Sequence, residues 1–248
     1  MRSREEFEAV LGLVRFGLND CQVSRLTGVP RGTVRYMRVH GRSGPEDAGR
    51  TSDDCPICGR AHLAEERYAY LLGLYLGDGC LAQHERGVFR LRVTLDDRYP
   101  NIIDECAEAI RAVRSRSGVK AGRSRHSGCT VVYSYWKHWP CLFPQHGPGR
   151  KHERQIRLTP WQDEIVRRHI GSLLRGLIHS DGSRDLNWVK GKSYPRYQFS
   201  NVSYDIQKIF TTACERLGIH WTRPYWKTIS VARRQDVARL DKIIGPKT

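Results

Sequence analysis

Two nine-residue stretches share one skeleton: "LLGLYLGDG" at 71–79 and "LRGLIHSDG" at 174–182. Both are largely apolar, carry small residues four apart and end in Asp-Gly. As helices, they put Gly73 and Gly77 on one face, and Gly176 and Ser180 in the same places on the second. Small residues at that spacing let two helix backbones approach until they touch. The stretches are therefore expected to pack on each other as parallel helices. Asp78 and Asp181 then stand at the same end. Gly79 and Gly182 follow, where helices often stop in a left-handed residue. Two carboxylates forced together repel unless a cation compensates. Mg²⁺ takes oxygen ligands, and metals held by two acids can activate water at a phosphodiester. The plainer alternative is a tightly packed helix ending in a turn, but two copies in matching order fit that poorly.

The surroundings repeat as well. Helix "EERYAYLLGLYLGDG" precedes strand "VFRLRVTL", in which Phe89, Leu91, Val93 and Leu95 alternate with Arg90, Arg92 and Thr94. A helix, "YPNIIDECAEAIRAV", follows, then strands within 119–125 and 129–135. In the second half, "DEIVRRHIGSLLRGLIHSDG" reads as one helix, with a first hairpin starting around 187 that includes "RYQFSNVS". Helix "YDIQKIFTTACERLG", strands within "HWTRPYWKTISVARR" and helix "QDVARLDKIIG" complete it. Cys106 and Cys214 fall at matching points and read as core. The fold class is α+β, with two related α-β-β-α-β-β-α halves at about 65–150 and 160–248 in one domain, 65–248.

Residues 1–41 read as a small all-α domain of three helices. Asn19 is a good N-cap for the second, Gly28 ends it, and Pro30 opens the third. The last pair resembles a DNA-binding helix-turn-helix, with Arg31, Thr33 and Arg35 on the reading helix. A helical bundle with solvated arginines is the alternative. A linker with a candidate zinc knuckle spans 42–64. Cys55-x-x-Cys58 supplies half of such a site and His62 a third ligand. No second Cys-x-x-Cys follows at a familiar distance, so the fourth ligand is missing; two thiols in a turn is the alternative. The eight cysteines, in a chain whose "MRSREEFEAV" start has no apolar signal core, fit reduced thiols in the cytoplasm.

The formal net charge is +16. So large an excess points to a polyanionic partner, double-stranded DNA first. No long apolar run or basic amphipathic helix supports a membrane.

The paired stretches resemble the motifs of the LAGLIDADG homing endonucleases, in the single-chain form with two motifs. The resemblance covers residues 65–247 in element order. It implies a pseudo-twofold saddle whose sheets lie on DNA, a monomer with internal symmetry, and Mg²⁺ in a two-metal type of site held by Asp78 and Asp181. Leu76 and His179 occupy the family's variable sixth position. "FSN" at 199–201 also looks familiar, with "LRV" at 91–93 as its divergent counterpart. Family members place a lysine near the reacting phosphate on the segment leaving the sheet. Here "HGPGRK" ends at Lys151 and "IGPK" at Lys247, and Lys151 is the better candidate; an ordinary phosphate contact is the alternative. Arg90, Arg92 and Arg196 are expected to reach DNA from the sheets, and Lys227 from the last hairpin. Trp136, Trp139, Trp161 and Trp226 read as packing.

The resemblance implies a metal-dependent, site-specific endonuclease that cuts across the minor groove, in the setting of intron or intein mobility. It equally covers bacterial regulators that join such a domain to a helix-turn-helix and no longer cut, a nucleoid role. A role in RNA splicing is a third possibility.

Overall fold

A computed structural model describes residues 4–40, 54–114, 118–123, 128–245 and 247. Most of the linker expected at 42–64 lies outside them. The chain divides into two compact units, 1–61 and 62–248. Among the described residues, no helix is long and apolar enough to cross a membrane.

The smaller unit contains helices α1 (Arg4–Arg15), α2 (Asp20–Thr27) and α3 (Arg31–His40). Asn19 accepts from the amides of Cys21 and Gln22, and Gln22 accepts from Asn19's own amide, a reciprocal cap that fixes the start of α2. Gly28 ends it at φ +68°, where a side chain would be strained. Val10, Val23, Val29, Val34 and Met37 form the core. Arg38 is tied inward, to Asp20 at 2.9 Å and to the Leu18 carbonyl.

The larger unit runs α4 (Glu65–Asp78), β1 (Gly79–Gln83), β2 (Phe89–Asp96), α5 (Pro100–Val113), β3 (Lys120–Arg123), β4 (Cys129–Trp136) and the short α6 (Trp139–Leu142). After α7 (Pro160–Arg168) the order returns: α8 (Ile170–Asp181), β5 (Gly182–Val189), β6 (Lys192–Ser200), α9 (Tyr204–Arg216), β7 (Thr222–Tyr225), β8 (Thr228–Val231) and α10 (Arg234–Ile244). The sheets are antiparallel, ordered β1-β2-β4-β3 and β5-β6-β8-β7, so the halves have the same topology. In β2, Leu91, Val93 and Leu95 are buried while Arg92 is exposed, as the alternation requires. The first core packs Trp136 edge-on to Trp139, and the second stacks Phe199 on Phe210.

Three local expectations need correction. The helix expected across 163–182 breaks at His169, at φ −123° and ψ 43°. The break lets Ile165 and Val166 stay buried while α8 turns its small face onto α4. The second half's first hairpin begins directly at Gly182, not near 187. And Gly79 and Gly182 are extended, at φ −90° and −111°, because each strand leaves its helix with no intervening turn. They are glycines for want of room. A Cβ on Gly79 would lie 2.5 Å from the Tyr75 Cα, and one on Gly182 2.7 Å from the Ile178 Cα.

Candidate active site

The crossing of α4 and α8 positions everything that follows. α4 is buried continuously from Tyr68 to Leu76, as befits a central helix. A Cβ on Gly73 would lie 2.6 Å from the Leu173 carbonyl oxygen, and one on Gly176 2.2 Å from that of Tyr70. One turn on, a Cβ on Gly77 would lie 2.2 Å from the Ser180 hydroxyl and 3.0 Å from an Asp181 carboxylate oxygen. The four small residues are thus the contact itself, and they bring Asp78 and Asp181 to one end of the pair.

Asp78 is exposed at the end of α4. The protein around it, first, and Asp181, second, push its pKa up to about 6. Burial raises Asp181 as well, and the Asn201 side chain opposes this by donating to its carboxylate at 2.5 Å. Register shows why only one acid has this donor. Phe199 pairs with Gly182 and Val93 with Gly79, so the counterpart of "FSN" is Val93-Thr94-Leu95, two residues beyond the "LRV" expected from sequence. Asn201 therefore corresponds to Leu95, a buried hydrocarbon. The sequence showed "FSN" but not that its asparagine meets an acid from another element.

Two lysines complete the arrangement. Lys151 donates to the carbonyls of Gly77 at 2.8 Å, Leu76 at 3.0 Å and Tyr75. Lys247 donates to those of Gly182 at 2.9 Å and Ile178 at 3.4 Å. Each ammonium thus sits at the carboxyl end of a motif helix, where backbone carbonyls and helix dipole favour a cation. Burial lowers the Lys151 pKa to about 8 against the pull of both aspartates, and lowers Lys247 too. A buried polar chain fixes the segment that delivers Lys151. The Tyr68 hydroxyl donates to the Leu142 carbonyl, and Gln162 donates to that hydroxyl. Gln145 donates to Gln162, and Arg154 to the carbonyls of Gln145 and Gly149.

The sheets present the expected arginines. By the same register Arg90 and Arg196 are equivalents, and each buries an Nε that makes no hydrogen bond. The Arg90 guanidinium lies over Tyr133 at 4.3 Å. Arg92 is exposed and donates to the Cys80 sulfur. Lys227 is exposed in the β7–β8 turn beside Trp226, which is 66% exposed and so is not a packing residue. Trp136 and Trp139 are buried as expected. In the smaller unit, Arg31 and Arg35 are exposed and Thr33 is half-buried. Cys55 is buried, while Cys58 and His62 are exposed.

No protein-family model matches the chain, and no curated protein matches it. Solved structures do. The homing endonuclease I-DmoI in complex with DNA and Mn is similar at 15% identity and a TM-score of 0.51, covering 74% of this chain and 99% of that one. Mesophilic variants of I-DmoI match at 15% identity and a TM-score of 0.50, over 73% and 95%. The N-terminal LAGLIDADG domain of DUF199/WhiA matches at 14% identity and a TM-score of 0.47, over 84% and 92%. With two equivalent four-stranded sheets and a glycine-lined helix crossing, this chain has the fold of the LAGLIDADG homing endonucleases.

Proposed function

We propose that the chain binds specific double-stranded DNA sites and cuts them at a divalent-metal site held by Asp78 and Asp181. The observation that carries this reading is the acid pair at the end of the glycine crossing, with a lysine from each half behind it. The donor set fits a hard cation such as Mg²⁺: two carboxylates, both with raised pKa, one open to solvent. When bound, the metal would supply Lewis acidity and an activated water. The chain's own residues do the rest. Asp78 and Asp181 hold the ion, and Asn201 fixes the orientation of Asp181. Lys151 and Lys247 offset the charge of the pair and place positive charge beside an incoming phosphate. Arg90, Arg92 and Arg196 bind backbone phosphates from the sheets, and Arg31, Thr33 and Arg35 read DNA from α3. Replacing Arg90 or Arg196 with alanine is expected to weaken binding to all sequences alike and to reduce the salt dependence by about one unit of slope. Affinity titrations over a salt series check this.

One observation favours a second reading, a regulator that binds without cutting. The Lys151 ammonium is engaged by three carbonyls rather than presented outward. The test is to incubate the full chain with a randomised duplex library and Mg²⁺ and to sequence bound and cut molecules, with the Asp78→Asn, Asp181→Asn variant in parallel. Cut ends made by the wild type alone support the nuclease. A defined bound motif with no cuts, shared by both proteins, overturns it in favour of the regulator.

A further inference from the structure

We propose that Asp185 and Gln198 determine sequence specificity in the second half, Asp185 by accepting from the amino group of a cytosine and Gln198 by pairing with an adenine, both in the major groove. This inference rests on the DNA-binding reading above. Both residues lie on one sheet of the larger unit. In β6, Tyr197 and Phe199 are buried, and Phe199 stacks on Phe210 of α9, so their side of the sheet faces the helices. Side chains alternate along a strand. Arg196 and Gln198 therefore face away from the helices, and so do the residues paired with them, Asp185 and Ser183. All four are half-buried.

An acid is costly on this face. The chain carries a net charge of +16, yet a carboxylate turned toward DNA meets phosphates that repel it. Arg196 stands directly opposite, but its Nε makes no hydrogen bond. Among the described residues, the one hydrogen bond to the Asp185 carboxylate comes from the Ser183 hydroxyl, which donates to Oδ2 at 2.6 Å. That bond orients the acid and leaves Oδ1 to accept. A carboxylate accepts and cannot donate. Base amino groups are the donors of the major groove, and the one that suits an acid is cytosine N4. Accepting from it offsets the repulsion. Gln198 lies diagonally across the strand pair from Asp185, about 7–8 Å away, or about two base steps of about 3.4 Å. Its amide both donates and accepts, the pattern that adenine N7 and N6 complete.

The first half has neither residue. Gly79 pairs with Val93 as Gly182 pairs with Phe199, so Ala82 is the equivalent of Asp185, and Arg92 of Gln198. Cys80 stands where Ser183 does, and Arg92 donates to its sulfur. Arg90 and Arg196, in contrast, keep the same place. The halves thus share a phosphate contact and differ in the side chains that meet bases. The DNA site is asymmetric in the same sense, with a cytosine and an adenine about two steps apart under the second sheet alone.

The test uses the full chain and a randomised duplex library, with bound molecules sequenced in chelator so that binding is read without cutting. Asp185→Ala should erase the preference for cytosine at one position and leave the others intact. Affinity for the wild-type site should fall about fivefold or more. Affinity for unrelated duplex should rise, because a negative charge facing the phosphates is gone. Asp185→Asn keeps the side chain's shape and guards against a folding defect; its preference at that position should change from cytosine to adenine. Gln198→Ala should relax an adenine about two steps away. Aspartate variants that select the wild-type site unchanged would overturn the proposal. So would a loss of affinity for every duplex alike, which would make Asp185 a support for Arg196. A wild type that selects no duplex at all would overturn the DNA-binding reading and this proposal with it, so the two failures are distinguishable.

Discussion

Gly176→Ala is expected to destabilise the larger unit by about 3 kcal/mol or more, the upper end of what overpacking costs. The added methyl would lie 2.2 Å from the Tyr70 carbonyl oxygen and 3.0 Å from the Gly73 Cα and the Leu74 nitrogen. All three are backbone atoms of the facing helix, so no rotamer change can relieve the clash. The helices must separate, and separation uncovers the buried length of α4. For a unit this size the melting temperature should fall by roughly 6–12 °C, at about 2–4 °C per kcal/mol. Gly32→Ala in α3 is the control. Its methyl meets nothing within 4 Å, and removing a helical glycine there should stabilise the smaller unit by up to about 1 kcal/mol. Calorimetry of both variants checks the pair. A Gly176→Ala protein that melts with the wild type would mean the helices do not cross here.

The crossing was legible because its cause is local. Small residues four apart define a helix face whatever else the chain does, and an aspartate one step later has its position fixed by that face. The alternation of β2 and the Asn19 cap were legible for the same reason, as was the placing of Lys151 and Lys247 after matching Gly-Pro segments. Features set by contacts between distant elements were not. Gly79 and Gly182 pointed to a left-handed stop, yet the preceding helix turn, not the backbone angle, excludes a side chain there. The break at His169 follows from two faces that must be buried against different neighbours. The strand pattern of β2 repeats every two residues, so only pairing with Gly79 places the counterpart of "FSN" at 93–95 rather than at "LRV". Asn201 was visible as a letter, but its partner Asp181 is on another element.

The acid pair itself should work against stability when no metal is present. Asp78→Asn is expected to raise the melting temperature by a few degrees in metal-free buffer at pH 7.5, while abolishing any metal-dependent cutting. The sign follows from the raised pKa, about 6 in the folded chain against about 3.9 unfolded. Between those values the folded state holds a proton that the unfolded state has released, so stability falls as pH rises through that window. Above about 6 the cost is fully developed, and below the unfolded value it is absent. The variant's advantage should therefore shrink as pH falls from 6 and vanish near 4. Asp78 is the better acid to replace because Asp181 accepts from Asn201, and an amide there would lose that bond. Lys151 and Lys247 lower the Asp78 pKa but do not cancel the burial and the second acid. Adding Mn²⁺ or Mg²⁺ should reverse the order, since an ion that binds the folded wild type stabilises it and leaves the variant unchanged. Melting curves at several pH values, with chelator and with metal, read all of this at once. A variant less stable than the wild type in chelator at pH 7.5 would show that the lysines hold the carboxylates as a structural ion cluster. The fold would then keep the pair for itself rather than for a metal.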